Sequence, residues 1–525
     1  MEENNILSIG ISLLCVVLFS VSWKIVNWVW LNPKKFERLL RNQGFDGNSY
    51  RLLHGDTKDR AKMTMEATSK PMPNLSNDFL PHTLAFFHHT ISNFGKKCMV
   101  WNGPLPSVSI AEPDLVREVF MKINQFQKPK SNPIGMKLVS GLIILEGNAW
   151  TQRRKLLTPA FHFDKLKFMV PAIWESSKEM IKEWEELASK TGSCEIEVWS
   201  SLQKLSADMI SRSAFGSSYE EGKTIFDLIT EQIKIVIPVF NSVYIPGWRF
   251  LPTKRNRRIT KIDREIKNLL KDIIDKRKKA IKTQEKTKDD LLNTLLESSY
   301  EQEDNGHGNK KKDIHLNIEE ILDECKLFYL AGQDTTASLL VWTLIMLAKH
   351  QTWQQLAREE IFNAFGDKIP QFHDLNHLKI VNMILQEVLR LYPPVIETNR
   401  QVTQDTKIGN MILPAGVVVN IPVLLMHHDE KIWGNDAKEF NPYRFSEGIS
   451  KASKGNMSFF AFGWGPRICI GSNFAMIEAK LTLVCILQRF VFELSPSYLH
   501  APSAIGSLRP QFGAPIIIRP RIMGS

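Results

Sequence analysis

Cysteine is scarce in this chain. Six occur in 525 residues, at positions 15, 98, 194, 325, 469 and 485, and none forms a C-x-x-C pair. That scatter argues against a zinc cluster or a disulfide framework and fits a reducing compartment. No flavin or nucleotide fingerprint is present, and no internal repeat. The formal charge of +11 comes with no nucleic-acid recognition motif, so it favours acidic partners or an anionic membrane surface and says nothing about fold. A hydrophobic share of 43% beside a charged share of 23% is ordinary for a globular protein.

Charge is missing altogether from Asn4 to Trp23, and Ile6 to Phe19 is dominated by Ile, Leu and Val. The stretch is about the roughly 20 residues that a bilayer core requires. Trp23, Trp28 and Trp30 follow as an aromatic belt. Glu2 and Glu3 precede the segment, and Lys24, Lys34, Lys35, Arg38 and Arg41 come after it. This asymmetry predicts a retained anchor with the body in the cytosol. A cleaved signal peptide is the rival, but the charged start, short apolar core and small-residue cleavage site are not evident. The expected division is an anchor over residues 1–31 and one catalytic domain over 32–525, with Asn32-Pro33 ending the anchor.

Beyond Pro71-Met72-Pro73, a stiff hinge, Lys96 to Ile110 reads as two short strands around Gly103-Pro104. Helical periodicity then dominates: Pro113 to Lys122, Lys165 to Lys190, Leu202 to Phe215, Asn256 to Lys282 and Asn317 to Lys349. Strands are expected at Lys407 to Leu413 and Val417 to Ile421. Tyr300 to Asp313 reads as an exposed connection, not a metal site despite His307 and His315. The expected fold class is mainly α with a small β portion, preceded by one transmembrane helix.

The run from Phe462 to Gly471 places one cysteine, Cys469, in a glycine-rich loop. Gly463, Gly465 and Gly471 let the backbone pass close to a flat ligand and aim N–H groups at sulfur. Arg467 can reach a carboxylate at that ligand's edge, and Phe462 can shield the sulfur from water. The bland alternative is a buried structural cysteine. Within the expected long helix, Asn317 suits an N-cap with Glu320 at the capping-box position. Phe328, Ala331, Gly332, Thr335 and Leu339 share a face there, and its small residues leave room for a flat ligand. The Thr335 hydroxyl can bond back to the Ala331 carbonyl, and Asp334 offers a carboxylate beside it. Tight helix packing with a solvated Asp is the alternative.

The cysteine run resembles the ligand loop of the cytochrome P-450 haem-thiolate monooxygenases. The resemblance implies that Cys469 is the axial ligand of a haem b iron and that Phe462 lies beside it. It also implies that Trp150, Arg154, Arg400 and Arg467 meet the haem propionates, and that Asp334 and Thr335 deliver protons as oxygen is activated. Glu387, Arg390 and Arg444 would form a structural network around the cysteine loop. Electrons would come from NADPH through a membrane reductase at the endoplasmic reticulum. The stretches Asn27 to Lys35, Lys128-Pro129-Lys130 and Leu251 to Arg258 are similar to one plant branch, the group of secologanin synthase and several triterpenoid and gibberellin oxidases. A bulky terpenoid-derived substrate follows, in a mostly apolar pocket lined by Ile134, Leu142, Ile143, Ile396 and Phe512. Glu397 is expected to pair with Arg400. Two other readings remain at this level: a haem-thiolate isomerase or dehydratase that needs no electron donor, and a non-catalytic haem-binding protein.

Overall fold

A computed structural model describes residues 2–129, 132–240, 242–283, 290–300, 315–455 and 458–521. Residues 301–313 of the expected connection, and Lys130, lie outside them. The described chain is mainly helical with small sheets. The largest sheet has six strands, in the order Asp46–Gly47, Cys98–Asn102, Leu105–Ser109, Val418–Ile421, Thr398–Val402 and Phe126–Gln127. The hairpin around Gly103-Pro104 is antiparallel and pairs Cys98 with Ser109, as the sequence predicts. The single strand expected over Lys407 to Leu413 is instead a hairpin, Thr406–Ile408 against Met411–Leu413. Gly409 turns it with φ +51°, a conformation that the absent Cβ permits.

The Ile318–Lys349 helix runs through the core. Its start is fixed as predicted: the Glu320 N–H donates to Asn317 Oδ1 at 3.0 Å, and the Asn317 N–H donates to Glu320 Oε2 at 3.0 Å. Tyr329 and Trp342 are fully buried on it. Trp342 stacks on Tyr392 at 4.4 Å between centroids, and Tyr392 stacks on Phe79 at 4.8 Å. Such a pile ties three distant parts of the chain to one axis.

The N-terminal helix does not stop at Asn32-Pro33. It continues from Glu2–Val26 through a π turn, Asn27–Leu31, into Asn32–Asn42. Proline has no N–H to donate to the carbonyl four residues back, which here belongs to Val29. The Tyr50 hydroxyl, from the globular body, donates to that carbonyl instead. The mismatch that was expected to break the helix is absorbed by a tertiary hydrogen bond. The apolar part, with mean hydropathy 2.3, is wholly uncovered by protein and long enough to cross a membrane.

Candidate active site

Cys469 sits between a backbone-held loop and the Ser472–Arg489 helix. Its N–H donates to Phe462 O at 2.8 Å, and the Gly463 N–H donates to Phe460 O at 2.9 Å. Gly463 and Gly465 have φ of +73° and +72°, so these two glycines serve the turn itself. The Cys469 residue is accessible, although surrounding protein is dense enough to push its thiol upward by burial. The Gly471 N–H and the charge of Arg154 pull the other way, as a thiolate requires.

The loop is anchored through the Lys379–Leu391 helix. Glu387 and Arg390 are fully buried and joined side by side, Nε to Oε2 at 2.7 Å and Nη2 to Oε1 at 2.8 Å. Arg390 also donates to the carbonyls of His427, Ala437 and Glu439, while Arg444 approaches Glu387 at 3.5 Å and bonds Asp436. His427 Nε2 accepts from the Phe460 N–H at 2.9 Å, so its Nδ1–H donates to Arg390 O. Burial lowers the imidazole to about 3, and the ring is neutral. The network thus reaches the foot of the cysteine loop. Removing one member leaves a buried charge unpaired, which costs about 3–5 kcal/mol. Glu387→Ala is accordingly expected to lower the urea midpoint and the haem-bound fraction steeply, measured on membranes from matched expression. A midpoint equal to that of the unsubstituted protein would overturn this account.

The predicted propionate residues divide into two groups. Arg467 donates to Leu145 O at 2.8 Å and pairs with Glu146, and its guanidinium lies over Trp150 at 4.6 Å. Arg400 is buried and bonds Thr398 Oγ1 and the Asn399 carbonyl. Arg154, by contrast, donates to Ile468 O at 2.9 Å, beside the cysteine. Lys128 was missed. Burial first, then Arg400 and Arg467, lower its ammonium to about 7, with Glu146 opposing them. Three cations therefore face one carboxylate, and Arg467 Nε is buried without a partner. A group bearing two carboxylates fits that surplus.

On the core helix the Thr335 hydroxyl donates to Ala331 O at 2.7 Å, as the sequence predicts. Ala331 is exposed and Thr335 half-buried, although the helix around them is buried. Gly332 serves a different purpose from the one expected. A Cβ there would lie 2.8 Å from Ile210 Cγ1, so its small size admits the neighbouring Val198–Ala214 helix. Thr336 is buried and donates to Glu478 Oε2 at 2.9 Å. Burial raises the Glu478 carboxyl to about 8. Asp334 is buried too, and turns from Thr335 toward Ser507; burial raises its carboxyl while Ser507 and Arg509 oppose the shift.

The expected pocket segments are locked to this helix. Glu324 accepts from the Leu142 N–H at 3.2 Å and pairs with Arg153. Lys326 donates to Lys137 O and to Asp263 Oδ1. Ile134, Leu142 and Ile396 are buried, whereas Ile143, Val395 and Phe512 are exposed. Glu397 does not pair with Arg400. Its partner is Arg60, at 3.4 Å from Oε1, and its Oε2 is buried with no partner. Arg400 has neighbouring backbone and hydroxyl acceptors in its own strand, so it has no need of that carboxylate.

The family described as Cytochrome P450 matches residues 79–509. Similar chains include Cytochrome P450 72A397 of Kalopanax septemlobus, 52% identical over 497 residues, which are 95% of this chain and 95% of the relative. Echinocystic acid 23-monooxygenase of Saponaria officinalis is 48% identical over 516 residues, 98% of this chain and 99% of its own. Secologanin synthase 1 of Catharanthus roseus is 47% identical over 500 residues, 95% of each.

Proposed function

The chain belongs to the cytochrome P450 family, haem-dependent monooxygenases fed by NADPH-derived electrons, and from that premise we propose a membrane-anchored enzyme that inserts one oxygen atom of O2 into a hydrophobic, terpenoid-derived plant metabolite. Cys469 would hold the iron. Lys128, Arg400 and Arg467, with Trp150, would take the propionates, and Arg154 would brace the cysteine loop through Ile468 O. When bound, the haem would supply the oxygen-activating chemistry, and a Cys469 thiolate would donate electron density toward its iron. The chain's own contribution is proton movement. Thr335 offers a hydroxyl on the open face of the core helix, and one position away burial shifts the Asp334 carboxyl toward its protonated form. The observation that carries the reading is this pairing: a thiol-bearing loop braced by a buried ion network, and a core helix on which half-buried Thr335, beside exposed Ala331, bonds its hydroxyl back to the Ala331 carbonyl.

The two relatives named for their reactions support the substrate class, one for echinocystic acid and one for secologanin. The exposed Trp23 and Trp30 and the cationic residues after them support an endoplasmic-reticulum anchor with the body in the cytosol. A reductase would approach near the accessible Ile468. In plant microsomes with a NADPH–cytochrome P-450 reductase, a panel of triterpenoids and iridoids is expected to yield a product carrying one oxygen from labelled O2. Conversion that proceeds equally without NADPH and reductase would overturn the proposal.

A further inference from the structure

Between the cysteine loop and two helices lies a cavity that proton delivery does not use. It holds about 540 Å³, within the size range of small-molecule sites. The Lys379–Leu391 helix supplies Leu389 to it and the Ser472–Arg489 helix supplies Ile477, both buried. Among the described residues, none of the Ile318–Lys349 helix lines it, nor does Cys469, Arg154, Arg400 or Arg467. It is therefore distinct from the site described above, with Phe462 as a shared wall. Phe163, Ile449 and Ile468 line it and are exposed, which marks its open side.

The walls are aromatic. Phe163 and Phe372 meet edge to face at 6.1 Å between centroids, and Phe459 and Trp464 join Phe462 from the segment leading to Cys469. Such rings favour a flat apolar body in stacked or edge contact. Amides interrupt them. Gln386 Oε1 is buried without a partner, and among the described residues the Asn382 and Asn473 side chains have none either. An amide both donates and accepts, so these three suit a ligand that carries oxygens and not a plain hydrocarbon.

One charge borders the cavity. Lys480 is the only charged residue among those that line it, and its ammonium donates to Leu375 O at 3.1 Å. Burial lowers that ammonium, with Glu360 opposing. The Glu360 carboxylate is itself taken up by the Ile380 and Val381 N–H groups, at 2.7 and 2.9 Å. Lys480 thus keeps a charge that no carboxylate in the cavity wall answers, and an anion brought there would gain a charge-assisted bond.

We propose that this cavity is a second ligand site, which takes a flat, oxygenated aromatic carboxylic acid with its carboxylate on Lys480, its ring between the aromatic walls and its remaining oxygens on the amides. A cation would be repelled by Lys480. A bare hydrocarbon would bury the amides further without giving them partners, which costs free energy. The occupant would rest on Phe462, Gly463, Trp464 and Ile468, and so on the loop that carries Cys469.

The test uses the full-length haem protein in lipid nanodiscs and two fluorescent probes, 7-hydroxycoumarin-3-carboxylate and its methyl ester, followed by anisotropy against empty nanodiscs. The ester should bind about tenfold more weakly than the acid or worse, the scale of one hydrogen bond to a charged group. Lys480→Gln should erase that preference by weakening the acid alone, and Lys480→Arg should keep it. Asn382→Leu removes an amide that bonds nothing in the fold, and it should weaken both probes by about 2–10-fold. The reduced, CO-bound spectrum of each variant shows whether the cysteine loop is intact. Equal affinity for acid and ester, or an acid affinity unmoved by Lys480→Gln, overturns the inference. Should Lys480→Gln fail to hold haem, Asn382→Leu decides, and unchanged binding of both probes overturns it.

Discussion

Cys469→His is expected to retain haem and lose monooxygenase activity to background. The reduced, CO-bound protein should absorb at the position diagnostic of a thiolate, and the substituted protein at that of a histidine-ligated haem. The physical reason lies in the charge. A thiolate pushes electron density toward the iron, whereas neutral imidazole does so far less. The loop is built for the anion: the Gly471 N–H and Arg154 both favour the ionised sulfur against the burial that opposes it. Arg154 is itself fixed to Ile468 O, so the positive charge stays beside the sulfur when the side chain is changed. A histidine there would meet a repelling cation and an N–H donor with no anion to serve. A wild-type spectrum already of the histidine type would sink the assignment.

Thr335→Ala is expected to keep haem, reductase coupling and most of the NADPH oxidation, yet lose product. Positioned proton transfer contributes typically about 10²–10⁴-fold in rate, so product formation should fall within that range while hydrogen peroxide rises. Thr335→Ser retains the hydroxyl and should recover most of the coupling. Thr336→Ala separates location from chemistry. Its hydroxyl is buried on Glu478, and its loss leaves that acid without its donor, a cost of about 1–3 kcal/mol. That variant should be less stable without a matching rise in peroxide. Wild-type coupling of NADPH to product in Thr335→Ala would defeat the relay, as would equal uncoupling in Thr336→Ala.

Local signals were the legible ones. The capping box at Asn317 and Glu320, the back-bond of Thr335 and the apolar N-terminal run each depend on residues within a few positions of one another, and each was readable in the sequence. The Glu387–Arg390 spacing was readable as a pair. Alone, such a pair at a helix surface is worth only about 0.2–0.5 kcal/mol, and nothing local foretold that both groups would be fully buried. What was missed depends on residues far apart. Lys128 meets Arg400 and Arg467 only after the sheet brings Phe126–Gln127 beside Thr398–Val402. Glu397 found Arg60, 337 positions away, over the neighbour that spacing suggested. Asp334 was read beside Thr335, but successive helical residues point about 100° apart, and Ser507 claimed it from the C-terminal hairpin. Pro33 was read as a stop because the donor that replaces its missing bond, Tyr50, belongs to another part of the chain.

That replacement has a mechanical consequence. Tyr50 touches Trp30 on one side, at 6.3 Å between centroids, and Trp101 on the other, at 4.9 Å. Lys34 lies over Trp30 in turn. The junction is a bracket rather than a tether, since bending it means breaking a hydrogen bond and separating rings packed at a tilt. With the stem in a fluid bilayer, as proposed, the protein would remain free to spin in the membrane plane, because all headings there are equivalent. Tilt is another matter. With the stem clamped to the body, the lean of the stem in the lipid would become the lean of the whole enzyme. Every opening on its surface would then be carried at one fixed height above the acyl chains.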